Sequence, residues 1–219
     1  MRHQIALAVA LLGISSMLCL ELMKKVGRRL EEQQKQIREM QHDINNHVAV
    51  IRSLTAGAPE GTDLKQYAED FSPTENESLM LIGNAGLGKT HAALAIAGLV
   101  LEQGHDVIYV SSPDFFGKIE ASRFDPSGDA DTLLRTASTA DLLILDDLGT
   151  EFVTPYFITV FYSLLNNRLG AGLPTIITTN ITDGALLEKR YTEKISSRLS
   201  AFIPFRFLGE DIRPQKAAE

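Results

Sequence analysis

Uncharged residues dominate the start of the chain, and residues 4–20 carry no charge at all. Seventeen such residues are at the short end of what spans a bilayer. Four basic residues follow closely, at Lys24, Lys25, Arg28 and Arg29. By the positive-inside rule, the downstream chain is then cytoplasmic. The pattern predicts an apolar helix over residues 1–21 that tethers the chain to the inner face of the cell membrane. The alternative is a buried or partner-binding helix.

Residues 22–56 show a helical repeat. Ten seam positions recur three and four residues apart, and eight of them are apolar: Met23, Val26, Leu30, Gln33, Ile37, Met40, Ile44, His47, Ile51 and Leu54. The positions between them are mostly Glu, Gln, Lys and Arg, which is the pattern of a heptad seam. We predict a coiled-coil helix that pairs with a second copy of the chain or folds into a helical hairpin.

The pattern changes over residues 57–73, where Gly57, Pro59, Gly61 and Pro73 indicate a linker. Beyond it, short continuous apolar runs alternate with helical stretches. The runs lie at residues 79–82, 107–110, 141–147 and 174–179. Such runs are typical of parallel strands that are buried on both faces. We therefore predict that residues 74–219 form an α/β domain, with a parallel sheet flanked by helices.

The first of these strands leads into a glycine-rich motif and then a helix. The motif GxxxxGKT consists of Gly83, Asn84, Ala85, Gly86, Leu87, Gly88, Lys89 and Thr90. Glycines allow backbone N–H groups to surround a polyphosphate, and the helix N-terminus adds its positive dipole end. Lys89 is expected to contact the β- and γ-phosphates, and Thr90 to ligate Mg²⁺. The motif therefore predicts a P-loop, also called Walker A.

Two further strands end in polar residues. The run at residues 141–147 ends in Asp146 and Asp147, which is the Walker B arrangement. Asp146 is expected to hold the Mg²⁺ shell, and Asp147 to orient or activate the attacking water. The run at residues 174–179 is followed by Asn180, in place to contact the γ-phosphate or the water as a sensor-1 residue. Because no NKxD guanine-reading motif occurs, we predict an ATPase that uses ATP and Mg²⁺.

Composition and charge narrow the possible partners. Residues 61–219 carry 13 Lys and Arg against 22 Asp and Glu, so a protein that coats nucleic acid with a generally basic surface is excluded. DNA contact must use a local patch. The single cysteine, Cys19, excludes an intramolecular disulfide framework and a Cys-rich zinc module.

Four stretches carry a resemblance to a known family: LIGNAGLGKTHAALAIA, DLLILDDLGTEFVTP, LPTIITTN and EKISSRLSAFIPFRFLGEDIR. From about residue 70 to 214, the chain resembles the AAA+ domain of DnaC/DnaI-type replicative helicase loaders, close to IstB-type transposition ATPases. The resemblance implies that Arg198 is an arginine finger acting on a neighbouring subunit's ATP. It also implies that Arg213 is a sensor-2 arginine acting on its own chain's ATP, and that Glu151 supports the site indirectly.

The same resemblance implies partners. The loaders form ATP-bridged homo-oligomers, grip single-stranded DNA and help to load a replicative DNA helicase. Phe115, Phe116 and Lys118 are candidates for DNA stacking and phosphate contact, and the alternative is that one or both phenylalanines are core residues. The alternative function is that of an IstB-type transposition helper, which acts with a transposase. We expect no counterpart of the loaders' separate N-terminal helicase-binding domain, because the predicted anchor and coil take its place.

A second resemblance concerns the coil. The motif HDxxNH at residues 42–47 resembles the dimerisation and phosphoacceptor helix of AgrC-like, GHKL-type sensor kinases, over about residues 20–57. It implies that His42 accepts a phosphoryl group, whereas the simpler interpretation is an exposed helix residue. A third functional hypothesis is therefore a membrane-anchored signalling or scaffold fusion.

Overall fold

The structure is a computed structural model that describes residues 64–123, 129–209 and 211. The predicted membrane anchor at residues 1–21, the coiled coil at 22–56, His42 and Arg213 lie outside the described residues. None of the helices in the described ranges has the length and apolar character needed to cross a bilayer.

Seven helices and five strands make up the described residues, in the following order. The first half contains α1 (Leu64–Glu69), β1 (Leu79–Ile82), α2 (Lys89–Glu102), β2 (Val107–Ser111), α3 (Ser112–Ala121) and α4 (Asp129–Thr139). The second half contains β3 (Leu142–Leu148), α5 (Pro155–Ala171), β4 (Thr175–Thr179), α6 (Gly184–Tyr191), α7 (Glu193–Leu199) and β5 (Ile203–Arg206). The alternation confirms the predicted α/β class.

The five strands form one parallel sheet in the order β2-β3-β4-β1-β5. Strand β1 lies between β4 and β5, and Ile82 at its end pairs with Thr179. Strand β3 lies between β2 and β4, and Asp146 pairs with Ser111. Because all the strands run in one direction, their carboxyl ends meet at one edge of the sheet, which is where α/β sheets bind ligands.

Alternate residues of the strands pack on opposite faces of the sheet, and each face has its own apolar core. In β1, Leu79 and Leu81 belong to one cluster, whereas Met80 and Ile82 belong to the other. The first cluster includes α2, and the second includes helices α3, α5, α6 and α7. Helices therefore cover both faces, and the continuous apolar runs reflect this double burial.

Part of the predicted linker is folded. Leu64, Ala68 and Phe71 are buried against residues of α2, so α1 and the turn after it belong to the same core as β1. Their spacing of four and three residues places them on one face of a helical turn, a pattern too short to distinguish from a linker in the sequence. We propose that the ATPase domain begins by Leu64 rather than at residue 74.

The two phenylalanines suggested for DNA stacking are core residues. Phe115 and Phe116 are each 4% exposed, and the Phe116 ring makes edge contacts with Phe157 and Phe161 on α5. A ring in this position has no free face for a base to stack on. The structure therefore corrects the stacking interpretation, although Lys118 on the same helix is exposed.

Helix α5 has clear signals at both ends. The Thr154 side chain accepts a hydrogen bond from the Phe157 N–H at 3.0 Å, and Pro155 occupies the first turn. The helix ends at Gly172, whose φ of 68° is the left-handed conformation that glycine adopts without strain. This helix carries Arg168, a buried charged residue whose hydrogen bonds connect α5 with α4 and β4.

The Arg168 guanidinium is 1% exposed and is bonded to uncharged acceptors. It donates to the Thr175 hydroxyl at 2.9 Å, and to the carbonyls of Ala137, Ala140 and Pro174 at 2.8, 2.8 and 2.6 Å. Burial lowers the pKa of Arg168 to about 10, so it stays charged at neutral pH. It thereby satisfies carbonyls at the end of α4 and the start of β4 that water cannot reach.

Replacing Arg168 with Met should destabilise the fold by about 3 kcal/mol, because the buried Ala137 and Ala140 carbonyls lose this donor and the Pro174 carbonyl keeps only the Leu143 N–H at 3.4 Å, while the methionine preserves much of the volume. Urea unfolding of the full chain measures this loss. The matched control is Arg135→Met on α4, where the side chain is exposed and the change should stay within about 0.5 kcal/mol. Equal losses in the two variants would show that the Arg168 contacts do not stabilise the protein.

Candidate functional site

The glycine-rich motif forms a tight loop between β1 and α2. Gly86 and Gly88 have φ angles of 81° and 87°, which other residues adopt only with strain. Gly83 is required for a different reason, since a Cβ there would lie 2.6 Å from the Phe207 carbonyl oxygen. Leu87 is 2% exposed and anchors the loop in the core. These glycines and the buried Leu87 thus determine the conformation of the loop that precedes α2.

A carboxylate from the end of the chain also lies against this loop. A Cβ built on Gly86 would fall 1.9 Å from Oδ1 of Asp211, a residue two positions before the predicted sensor-2 arginine. The absence of a side chain at Gly86 is therefore needed both for its backbone conformation and for the approach of Asp211. Asp211 is not among the predicted site residues, although it lies in one of the stretches that carry the family resemblance.

Lys89 is folded back over the loop. Its ammonium group donates to the carbonyls of Gly83 and Asn84 and to Oδ1 of Asn180, each at 2.7 Å. The side chain is only 7% exposed. Three oxygen acceptors hold the charge at the edge of the sheet where β1 and β4 end. The structure therefore brings together the predicted P-loop lysine and the predicted sensor-1 residue.

The buried Asp146 carboxylate receives hydroxyl donors from three elements. Thr90 donates to both carboxylate oxygens, at 3.0 and 3.2 Å. Thr178 on β4 donates to Oδ1 at 2.6 Å, and Tyr109 on β2 donates to Oδ2 at 2.7 Å. Burial raises the pKa of the Tyr109 phenol, and the hydrogen bond to Asp146 raises it further, so the phenol remains a proton donor.

Asp147 adopts an uncommon backbone conformation for a residue other than glycine, with a φ of 59°. Its N–H donates to the Thr178 hydroxyl at 2.8 Å. Because that hydroxyl accepts from Asp147, its own hydrogen is directed to Asp146. Thr178 thus fixes the two acidic residues relative to each other.

Asn180 connects the lysine to the second acidic residue. Its side-chain oxygen accepts from Lys89, and its side-chain NH₂ donates to Oδ1 of Asp147 at 3.3 Å. Asn180 is exposed, unlike the five strand residues before it. An amide at this position can serve as donor and acceptor at once, which suits a contact to both a cation and a carboxylate.

These groups surround a cavity of about 380 Å³ at the carboxyl edge of the sheet. Its lining residues are Ala85, Gly86, Gly88, Lys89, Thr90, His91, Asp146, Asp147, Thr178 and Asn180. Eight of them are predicted site residues. The predicted residues Gly83 and Asn84 are not in this lining, but their carbonyls accept hydrogen bonds from Lys89. The cavity has the loop N–H groups and a lysine on one side and two carboxylates on the other.

Arg198 does not line this cavity. It lies on α7, where its guanidinium stacks 3.9 Å from the centre of the Tyr162 ring and donates to the Tyr162 hydroxyl at 2.6 Å. It also donates to Oδ1 of Asn166 at 2.9 Å and to the Lys194 carbonyl at 3.1 Å. The side chain is held on the outer surface of α5 and is half-buried. The role of an arginine finger therefore remains a prediction that requires a second subunit.

Glu151 is buried behind the end of β3. Its carboxylate accepts from the Tyr191 hydroxyl, the Ser112 hydroxyl at 3.1 Å and the Gly149 N–H at 3.0 Å. Arg190 lies 3.5 Å from the same carboxylate. Burial raises the pKa of the Tyr191 phenol, and the charge of Glu151 raises it further. Glu151 thus joins the loop after Asp147 to α3 and to the end of α6, away from the cavity.

The contacts of Thr178 and Tyr109 with Asp146 were not predicted. Thr178 falls inside an apolar run and Tyr109 inside a strand, so each looks like a sheet residue in the sequence. The sequence gives one hint that Thr178 lies near the site, because it stands two residues before the predicted sensor residue Asn180 at a strand end. Tyr109 carries no comparable indication, since its contact depends on which strand lies beside β3.

The residues that line the cavity can bind a nucleoside triphosphate and a magnesium ion. A lysine and a left-handed glycine loop at a helix start provide the donors that phosphate oxygens accept. The Thr90 hydroxyl and the Asp146 carboxylate, 3.0 Å apart, offer the hard oxygen ligands that Mg²⁺ prefers.

Comparisons with known proteins identify relatives among replication proteins. The family model described as "IstB-like ATP binding protein" matches residues 14–189, well over half of the chain. This match includes the segment that resembles a sensor-kinase helix, and it gives that resemblance no support.

Two curated relatives are replicative helicase loaders. DnaI of Bacillus subtilis is 28% identical over 172 residues, which cover 74% of this chain and 54% of DnaI. DnaC of Escherichia coli is 27% identical over 116 residues, which cover 53% of this chain and 47% of DnaC. The chain therefore spans about half the length of the curated relatives it matches.

Solved structures with the same fold include the DnaC helicase loader, with a TM-score of 0.60, 24% identity and coverage of 66% of this chain and 86% of that chain. DnaI aligns with a TM-score of 0.59 and 22% identity, over 73% of this chain and 93% of that chain. The initiator DnaA bound to AMPPCP and single-stranded DNA aligns with a TM-score of 0.61 and 18% identity, over 77% and 54%. These likenesses confirm the expected AAA+ fold. From its family match and its P-loop, the chain belongs to the IstB-like ATP-binding protein family and is a P-loop ATP-binding protein.

Proposed function

We propose that this chain binds ATP with Mg²⁺ in the cavity at the carboxyl edge of the sheet and hydrolyses it. The observation that supports this most is the continuous chain of contacts from Lys89 through Asn180 to Asp147. It connects a group that binds phosphate with a group that can accept a proton. A protein that only bound nucleotide would need the first group and not the second.

The loop and Lys89 bind the triphosphate in this proposal. The N–H groups at the start of α2 donate to phosphate oxygens, and Lys89 exchanges carbonyl partners for the β- and γ-phosphates. Thr90 and Asp146 hold the magnesium ion, which supplies charge neutralisation on the phosphate oxygens when it is bound. Gly86 and Gly88 allow the backbone to approach the phosphates without side-chain contact.

Asp147 and Asn180 act on the water in this proposal. Asp147 orients a water against the γ-phosphate and accepts its proton at a carboxylate oxygen. Asn180 donates to Asp147 and thereby fixes the direction of that carboxylate. Asp146 accepts from three hydroxyl groups, whereas Asp147 accepts from the Asn180 amide, so the two acids serve different ligands.

Hydrolysis is completed by a second copy of the chain. Arg198 lies outside its own cavity, on a surface formed by α5 and α7. When it exchanges its contacts with Tyr162 and Asn166, an arginine there can neutralise the transferred phosphoryl group of a neighbour, which places ATP between subunits of a homo-oligomer. Arg213 is proposed, from the resemblance alone, to reach the ATP of its own chain.

Substituting Arg198 with Ala should leave ATP affinity within about twofold and lower the rate of hydrolysis in the assembled protein by about 10³. Fluorescence titration measures the affinity for ATP, and steady-state phosphate release measures the rate of hydrolysis. Arg135→Ala, an exposed arginine on α4, is the matched control. Normal hydrolysis by the Arg198 variant would show that it is not an arginine finger.

The biological task that the relatives suggest is helicase loading. DnaI and DnaC are named replicative helicase loaders, and a DnaA neighbour is named as bound to single-stranded DNA. We propose that ATP-bound oligomers of this chain grip single-stranded DNA and help to place a replicative helicase on it. Because Phe115 and Phe116 are buried, the DNA site must use other residues.

The second candidate function is that of a transposition helper, which membership of the IstB-like family favours. The two are distinguished by their protein partner. The full chain, loaded with the non-hydrolysable analogue AMPPNP, is incubated with purified replicative helicase and, separately, with the transposase of an IS21-type element. Retention of the helicase alone supports the loader, whereas retention of the transposase alone supports the helper.

A further inference from the structure

Tyr109 is a half-exposed residue on the edge strand β2, yet its hydroxyl reaches the Walker B acid of the neighbouring strand. Tyr109 is 37% exposed, and its hydroxyl donates to Oδ2 of Asp146 at 2.7 Å. Strand β2 pairs only with β3 within the described sheet, and Tyr109 lies opposite Ile144, two residues before Asp146. The long side chain therefore crosses from one strand to the end of the next.

The two oxygens of the Asp146 carboxylate are held by different hydroxyls. Oδ1 accepts a hydrogen bond from the Thr178 hydroxyl at 2.6 Å. The Thr178 hydrogen must point to Asp146, because the Thr178 oxygen accepts from the Asp147 N–H. Oδ2 receives Tyr109 at 2.7 Å. Thr90 donates weakly to both, at 3.0 and 3.2 Å. Thr178 and Tyr109 are thus the two short contacts, one at each oxygen, that prevent the carboxylate from rotating.

We propose that Tyr109 is a positioning residue for the magnesium site: it holds Oδ2 of Asp146 so that the carboxylate and the Thr90 hydroxyl present their oxygens to the metal together. This proposal rests on the proposed use of Mg²⁺. A hydroxyl that holds a metal-binding carboxylate typically changes metal affinity about tenfold or more when it is removed. Thr90 cannot replace Tyr109, since one hydroxyl hydrogen is shared between two oxygens and its lone pair serves the metal.

A positioning role for Tyr109 affects Mg²⁺ binding alone, whereas a structural role would also affect nucleotide binding without metal. The Tyr109 ring stays in place in a Phe variant, because only one oxygen is removed and the residue is half-exposed. The phosphate-binding groups of the loop and Lys89 make no contact with Tyr109 among the described hydrogen bonds. Loss of the hydroxyl should therefore weaken the response to Mg²⁺ and spare nucleotide binding without metal.

The test is a fluorescence titration of the full chain with mant-ATP, carried out in EDTA and at increasing Mg²⁺. For Tyr109→Phe we expect the Mg²⁺ concentration at half-effect to rise about tenfold. Affinity for mant-ATP in EDTA should stay within about twofold of the unsubstituted chain. The matched control is Tyr67→Phe, which removes a phenol hydroxyl that donates to the Glu77 carbonyl at 2.8 Å, outside the cavity. That variant should respond to Mg²⁺ like the unsubstituted chain.

The outcomes separate this inference from the function on which it rests. If Mg²⁺ changes mant-ATP binding by the unsubstituted chain but Tyr109→Phe responds at the same concentration, Tyr109 has no positioning role. If affinity in EDTA falls as much as the metal response, the hydroxyl is structural and the inference is also wrong. If Mg²⁺ has no effect on the unsubstituted chain, or if Asp146→Asn leaves the effect intact, the proposed metal site itself fails.

Discussion

Replacing Lys89 with Ala should abolish ATP binding at concentrations that saturate the unsubstituted chain. The Lys89 side chain is buried and lines the cavity, and its ammonium group donates to three neutral oxygens, each at 2.7 Å. Those weak competitors give way to phosphate oxygens, which carry charge. Hydrogen bonds between charged groups contribute about 1.5–3 kcal/mol each, so losing the contacts to two phosphates weakens affinity by about two to four orders of magnitude. Equilibrium binding of mant-ATP measures the change.

Two controls make this result specific. Lys118→Ala removes an exposed lysine on α3 and should leave binding within about twofold. Thermal unfolding of Lys89→Ala reports whether the fold survives the loss of the three Lys89 hydrogen bonds. Lys89→Arg keeps the charge but presents a planar fork to the loop, and we expect it to bind ATP weakly as well. Unchanged affinity in a folded Lys89→Ala variant would exclude this cavity as the phosphate site.

Replacing Asp147 with Asn should separate ATP binding from hydrolysis. The substitution is nearly isosteric, and Asn tolerates the left-handed backbone at φ 59°. The Asn carbonyl can still accept from Asn180, so the geometry of the cavity is preserved. What is lost is a group that can accept a proton from water. We expect the rate of hydrolysis to fall by about 10²–10⁴ while affinity for ATP changes less than about threefold.

The matching control for Asp147 is Asp131→Asn, an exposed carboxylate on α4. It should leave both the rate and the affinity unchanged. Asp146→Asn gives a contrasting pattern, because Asp146 is proposed to hold the metal and its loss should reduce the Mg²⁺ response as well as the rate. If Asp147→Asn hydrolyses ATP normally, another residue must orient the water.

The fold could be predicted from the sequence because its strands are buried on both faces. The run at residues 79–82 contains no polar residue, and the run at residues 141–147 contains none between Asp141 and Asp146, so the type and the ends of these strands follow from local pattern. The loop at residues 83–90 could be predicted for the same reason, since consecutive residues determine its conformation. Helix α1 lies within the predicted linker, because its two buried positions before a turn are too few to indicate a helix in the sequence.

The contacts across the sheet could not be predicted from the sequence. Thr178 and Tyr109 meet Asp146 because β4 and β2 lie on either side of β3, an order that local patterns do not encode. Arg168 is a comparable case. An arginine at position 168 in an amphipathic helix looks like a surface residue, and only the packing of α4 and α5 buries it.

Arg198 illustrates a further limit. Its assignment came from resemblance to a family, because an arginine finger acts in a neighbouring subunit and one chain alone shows no geometry for it. Within this chain, the Tyr162 ring and the Asn166 amide account for its contacts. Its function must therefore be tested in an assembly of subunits.

A mixing experiment tests most directly whether this protein hydrolyses ATP between subunits. Full-length Lys89→Ala lacks the phosphate site but retains Arg198, whereas Arg198→Ala retains the site but lacks the arginine. Each variant alone should hydrolyse ATP at no more than about 10⁻³ of the unsubstituted rate. In an equal mixture, about one quarter of the interfaces pair an intact site with an intact arginine, so phosphate release should recover to roughly a quarter of the unsubstituted rate. A mixture no more active than the two variants separately would contradict hydrolysis at a shared interface.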